Sequence, residues 1–188
     1  MDKFTYEAFV LSGGKSSRMG TDKGLVVFQG KKMIEHVFLM LGPHLHNIIS
    51  NNEAYKQFGY KVCPDIYKNC GPLGGIHSGL YNSHSDWNIV IGCDMPFVTM
   101  KFFLFLLKKI RTANCNAVVP VHEGKVEPLC ALYHKSCIAV IEQQILKKQF
   151  RMQTLLENLK TAYIEVPKDQ FDSEVLFRNM NTPVDISQ

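Results

Sequence analysis

Apolar runs of strand length alternate with helical patterns along almost all of this 188-residue chain. That alternation limits the fold to a mainly parallel sheet with helices on both faces. "EAFVLSGG" reads as a buried strand running into a glycine turn. "MIEHVFLML" places Met33, Ile34, Val37, Phe38 and Leu41 on one helical face. "HNIISNN" reads as a short strand, "GGIHSGLYNS" as a helix entered through a flexible glycine-rich loop, and "WNIVIGCDMPFV" as a strand stopping at an acidic residue and a proline. "TMKFFLFLLKKI" predicts a helix whose closing lysines suit the negative end of the helix dipole. Strand-like "NAVVPV" and "PLCALYH", helical "SCIAVIEQQILKK" and a short strand near "AYIEV" follow, and "NTPVDI" resembles a capping box opening a final turn. Without repeats or a Pro/Gly/Ser-rich linker, the expectation is one doubly wound domain over residues 1–188, with ligands outside the carboxyl ends of the strands.

Composition supports this and narrows the partners. Hydrophobic residues make up 46% and charged residues 20%, an ordinary globular balance. A net charge of +4 suits an anionic small molecule and falls short of the clustered field a duplex requires, so no nucleic-acid partner is expected. The longest greasy stretch, "FFLFLL", is far shorter than a membrane span, so no membrane partner is expected either. Cysteines 63, 70, 93, 115, 130 and 137 form no Cys-x-x-Cys pair, and the first residues carry no export pattern. A reducing cytoplasm is the expected setting.

"LSGGKSSRMGTDKG" is the stretch where chemistry concentrates. A P-loop fails, because aligning Gly14-Lys15-Ser16 with its ending puts Phe9 where the first glycine belongs. The dinucleotide fingerprint fails too, with glycines at 13, 14 and 20. What remains is an anion cradle: consecutive glycines exposing amide donors, serine hydroxyls, the bidentate fork of Arg18 and the mobile charge of Lys23. Taken alone, the same residues also describe a plain strand-to-helix turn with solvated cations.

In full, "LSGGKSSRMGTDKGL" strongly resembles the opening signature of the molybdenum cofactor guanylyltransferase (MobA) family. "GKKMIEHV", "PDIYKNCGPLGGIHSGL", "IGCDMPFV", "EPLCALY" and "FRNMNTPVDI" are similar to that family's later segments and follow in its order from residue 10 to 186. The first motif is shared with wider nucleotidyltransferases; the Asn-x-Asn-Thr-Pro ending makes the likeness specific. The resemblance implies a Rossmann-like nucleotidyltransferase that joins the GMP part of GTP to the terminal phosphate of molybdopterin, releases pyrophosphate and uses Mg²⁺. Proteins that deliver the cofactor or accept it would be further partners.

The resemblance assigns roles residue by residue. Arg18, Lys23 and Asp94 would be catalytic, with Asp94 also holding the metal. Leu11, Ser12, Gly13, Gly14, Lys23, Asn51, Asp65, Gly71 and Asp94 would bind the nucleotide, Asp65 reading guanine. Asn179 and Asn181 would face the pterin. Asn52 could take the place of Asn51, because the register is open there. Away from the resemblance, Asp94 is equally a helix cap, Asp65 an ordinary Pro-Asp turn residue, and the two asparagines turn caps. Ser12 stands where the family usually has Ala, and Gly24 replaces a more frequent Ala, a change expected to have no consequence. Cys93 and His77 are expected to pack rather than react.

The sequence leaves two rival readings. One is a relative using CTP or acting on a sugar phosphate, which Asp65 and the asparagine pair disfavour. The other is an accessory protein that binds GTP without turning it over, which has no use for Asp94, Lys23 and Arg18 together.

Overall fold

The computed structural model describes residues 5–13 and 22–180. Along them run β1 (Tyr6–Leu11), β2 (Val27–Phe28), β3 (Lys31–Lys32), α1 (Met33–Leu41), β4 (Leu45–Ile49), β5 (Lys61–Cys63), α2 (Pro72–Asn82) and β6 (Trp87–Gly92). Then come α3 (Met100–Ile110), β7 (Ala117–His122), β8 (Lys125–Val126), β9 (Cys130–His134), α4 (Cys137–Leu146), α5 (Met152–Asn158), β10 (Thr161–Glu165) and α6 (Ser173–Leu176).

The main sheet runs β10-β7-β9-β6-β1-β4-β5, with β8 pairing β7. Strands β6, β1, β4 and β5 are mutually parallel, and β10 is parallel to β7. Only β9 runs against its neighbours β6 and β7 on the main path. The central strands are buried on both sides, and the two-residue period of a strand divides them between two cores. Ala8 and Val10 of β1, with Ile89 and Ile91 of β6, pack under α1 and α3. Phe9 and Val90 face the other way, against α2, α4 and α5. The expected mainly parallel sheet covered on both faces is therefore what forms.

Several elements differ from expectation. Sequence reading anticipates neither the β2–β3 hairpin nor β8, because each turn carries a less telling dipeptide than Asn-Gly. Gln29-Gly30 and Glu123-Gly124 nevertheless both adopt positive φ, which gives tight two-residue reversals. The second reversal sends the chain back along β7 and on into β9, which explains the antiparallel strand. Three short elements, β5, α5 and α6, are also not anticipated by the sequence patterns. The "GPLGG" segment is not a flexible loop. Gly71 (φ 59°) caps α2, Pro72 occupies its first turn, and Gly74 and Gly75 are already helical.

Glycines inside α2 serve contact rather than flexibility. A Cβ on Gly79 would overlap three carbons of the buried Phe9 ring, so only glycine lets the helix lie this close to β1. Gly79→Ala gains about 1 kcal/mol of helix propensity, but overpacking a fixed core ring costs about 1–3 kcal/mol. A net loss of roughly 1 kcal/mol in urea unfolding is expected; a variant more stable than the parent would show that α2 can move away freely.

Candidate functional site

Strand register assembles the site. Leu11 pairs with Gly92 on one side and with Ile49 on the other, and Ile49 pairs with Cys63. Two residues beyond that row, each strand delivers a residue named from the sequence: Asp94, Gly13, Asn51 and Asp65. With strands about 4.8 Å apart, the carboxylates of Asp94 and Asp65 stand at opposite ends of a rank roughly 14 Å long. Backbone bonds lock the row: Ser12 N–H donates to Ile49 O at 2.9 Å, Cys93 N–H to Leu11 O at 3.1 Å and Ser50 N–H to Cys63 O at 2.9 Å. At the end of β1, Gly13 has φ 148°, a conformation that side-chain-bearing residues rarely adopt.

At one end, the Asn51 amide donates to Asp65 Oδ2 at 2.8 Å, and Asp65 N–H donates to Asn51 Oδ1 at 3.1 Å. This reciprocal pair distinguishes the two asparagines by their partners. Asn51 meets Asp65, whereas Asn52 turns to Asp22 and caps the following turn. Burial raises the Asp65 carboxyl above the usual carboxylate range, and the Asn51 amide pulls it partly back. Its loop is pinned to α2: Ile66 N–H donates to the buried Ser78 hydroxyl at 2.8 Å, and Tyr67 sets a ring edge against His77.

At the other end, Lys23 Nζ lies 3.3 Å from Asp94 Oδ2, with both side chains partly exposed. Gly92 is needed here as well, since a Cβ on it would come within 2.8 Å of Asp94 Oδ1. Met180 N–H donates to the backbone carbonyl of Asp94 at 3.1 Å, which ties the chain just after Asn179 to the backbone at Asp94. Gly71 stands apart at the start of α2. Gly14, Arg18, Asn181 and the capping-box turn of the tail lie outside the described residues.

Sequence reasoning passed over Asp22. Its side chain accepts from Gly24 N–H, Asn52 Nδ2 and the Tyr55 hydroxyl, and so fixes the short 3-10 turn Lys23–Leu25 that carries Lys23. The Asp-Lys pairing was the available signal, but its partner Tyr55 lies thirty-three residues away. Gly24 is also not inconsequential. A Cβ there would overlap the Tyr55 hydroxyl and sit 3.1 Å from two ring carbons. Cys93 is a packing residue as expected, its thiol pushed up to about 12, chiefly by burial. His77 is buried on α2 and meets Glu142 at 3.1 Å.

Comparison with known proteins decides the family. Residues 8–162 match the MobA-like NTP transferase domain. A probable molybdenum cofactor guanylyltransferase of Flavobacterium johnsoniae is 32% identical over 168 residues, covering 88% of each chain. The molybdenum cofactor guanylyltransferase of Vibrio campbellii is 33% identical across 95% of this chain and 92% of its own. The crystal structure of molybdopterin-guanine dinucleotide biosynthesis protein A from Archaeoglobus fulgidus superposes with a TM-score of 0.83 at 32% identity, covering 96% of this chain and 95% of that one. The chain belongs to the MobA-like NTP transferase family. It is a nucleotidyltransferase, of a kind that typically works with a divalent metal. As in other MobA-like chains the fold is Rossmann-like, and no helix among the described residues is long and apolar enough to cross a membrane.

Because folding raises the Asp65 pKa, the native state holds its proton to higher pH than the unfolded chain does. Stability therefore falls as pH climbs through the window above 3.8, and the cost persists at neutral pH. Asp65→Asn keeps an acceptor for Asn51 and removes that cost. Its thermal midpoint at neutral pH is expected to equal or exceed the parent's, without the part of the parent's pH dependence that comes from ionising Asp65 above 3.8. A clearly less stable variant would overturn this account of Asp65.

Proposed function

We propose that this chain transfers GMP from GTP to molybdopterin, breaking the bond between the α-phosphorus and the β-phosphate bridge and forming one to the pterin's terminal phosphate. Pyrophosphate leaves. The observation that carries this reading is the rank across the sheet edge, with the Asn51-held carboxylate of Asp65 at one end and the Lys23–Asp94 pair at the other. The names borne by relatives across nearly the whole chain support it.

Asp65 would read the base. Its carboxylate can accept the N1 and N2 hydrogens of guanine, a donor pair that cytosine and adenine lack, and Asn51 holds it in place. A wrong base would leave a half-buried carboxylate unmatched, which is how polar sites reject analogues. Leu11, Ser12, Gly13 and Gly14 would lie along the nucleotide, with Gly71 at its outer side. Lys23 and Arg18 would hold the phosphates. Asn179, brought near Asp94 by Met180, would face the pterin together with Asn181.

The donor set fits Mg²⁺. Among the described residues no three His, Cys, Asp or Glu side chains gather into a cage. Asp94 stands as a single accessible carboxylate at the strand end, and Mg²⁺ is commonly bound by one or two carboxylates plus substrate phosphates. Bound there, the ion would offset charge building on the α-phosphate and on the departing pyrophosphate. Asp94 would supply the ligand, Lys23 would neutralise phosphate oxygens, and the pterin phosphate would be the nucleophile, so no ionised thiol or histidine base is required. Six free cysteines suit a reducing cytoplasmic setting.

The test is pyrophosphate release with Mg²⁺, molybdopterin and GTP, CTP or ATP offered separately. Pterin-dependent release with GTP is expected, falling about a hundredfold or more in Asp94→Ala. Release with CTP at the GTP rate, or an unaffected Asp94→Ala, would contradict the proposal.

A further inference from the structure

The segment that follows β4 touches both ends of the site. Asn51 holds Asp65, while Asn52 and Tyr55 hold Asp22. Tyr55 is fully buried, and burial above all, with Asp22 and Cys93 nearby, keeps its phenol far above the usual range, so the hydroxyl stays a donor. Both Asp22 oxygens are engaged, Oδ1 by Gly24 N–H and Tyr55, Oδ2 by Asn52. That occupancy gives Asp22 the task of fixing the turn that aims Lys23 at Asp94. Gly24 belongs to the same device, since the Tyr55 hydroxyl fills the space a side chain there would need.

We infer that Asn52 and Tyr55 are positioning residues for Lys23, acting through Asp22, and that Gly24 is demanded by Tyr55. The inference rests on the reading of Lys23 and Asp94 as the phosphate-handling pair. Removing the Tyr55 hydroxyl leaves Asp22 Oδ1 with the Gly24 amide alone, and the Asn52 amide becomes the one remaining side-chain bond between Asp22 and the segment after β4. Base reading by Asp65 does not pass through this tie. The loss should therefore fall on the chemical step and not on GTP recognition, because small misplacements of a charged group are costly in the transition state.

The experiment is a double-mutant cycle of Gly24→Ala and Tyr55→Phe, followed by kcat, KM for GTP and the thermal midpoint. Each single variant is expected to lose about tenfold in kcat with KM for GTP changed by less than about threefold. The pair should lose no more than the worse single variant, because deleting the hydroxyl makes room for the new methyl. A wild-type kcat in Gly24→Ala, or a double variant equal to the product of the singles, would overturn the inference. The same four proteins are labelled at Lys23 with a water-soluble acetylating reagent, without nucleotide and well below their midpoints. Both singles should label faster than the parent, and the double more slowly than the product of the two increases. A parent that fails to transfer GMP would sink the functional reading alone, and the labelling cycle would still decide the positioning claim, with unchanged rates overturning it.

Discussion

The parallel pairing of β6, β1, β4 and β5 at the Leu11 row is the constraint on which the site depends. Once Leu11 is opposite Gly92 and Ile49, and Ile49 opposite Cys63, the residues two places on must emerge together at the carboxyl edge. A one-residue slip in any pairing would turn its strand inside out, exchanging the α1/α3 face for the α2/α4 face. The core therefore enforces the site: Ala8 and Val10 cannot trade places with Phe9, because Phe9 fills the space left by the absent side chain of Gly79. Packing energy is thereby converted into the placement of two carboxylates that would not assemble unaided.

That placement has costs, and the chain meets them in different ways at its two ends. Asp65 is half-buried and pays desolvation, offset in part by the Asn51 amide and by a loop pinned to Ser78 and His77. A carboxylate that is destabilising in the folded chain is well prepared to accept hydrogen bonds from a partner with matching donors. Asp94 is instead screened by Lys23 and by water. The first end suits recognition and the second suits handling of mobile charge, so both fit one elongated anionic substrate.

Much of this was legible in the sequence. The strands ending at Leu11, Ile49 and Gly92 could be read from their apolar runs, and Asp94 from its position after "VIGC". The Asn51–Asp65 pair was legible only as two candidates, because which asparagine faces the carboxylate is set by the β4–β5 pairing, and β5 is three residues long. Asp22 and Tyr55 could not be joined by reading, since their contact spans thirty-three residues and neither position looks unusual alone. Gly24 was misjudged for the same reason: without Tyr55 in view, glycine and alanine looked interchangeable. The two tight reversals escaped because Gln-Gly and Glu-Gly are weaker turn signals than Asn-Gly.

In the proposed complex one nucleotide lies along the rank from Asp65 to Asp94. A crystal structure with a non-hydrolysable GTP analogue and Mn²⁺ tests it most directly, because anomalous scattering locates the ion independently of the nucleotide. Guanine N1 and N2 within hydrogen-bonding distance of the Asp65 carboxylate, with manganese bound between Asp94 and the phosphates, is the predicted result. Guanine seated away from Asp65, or manganese bound without Asp94, would contradict the account.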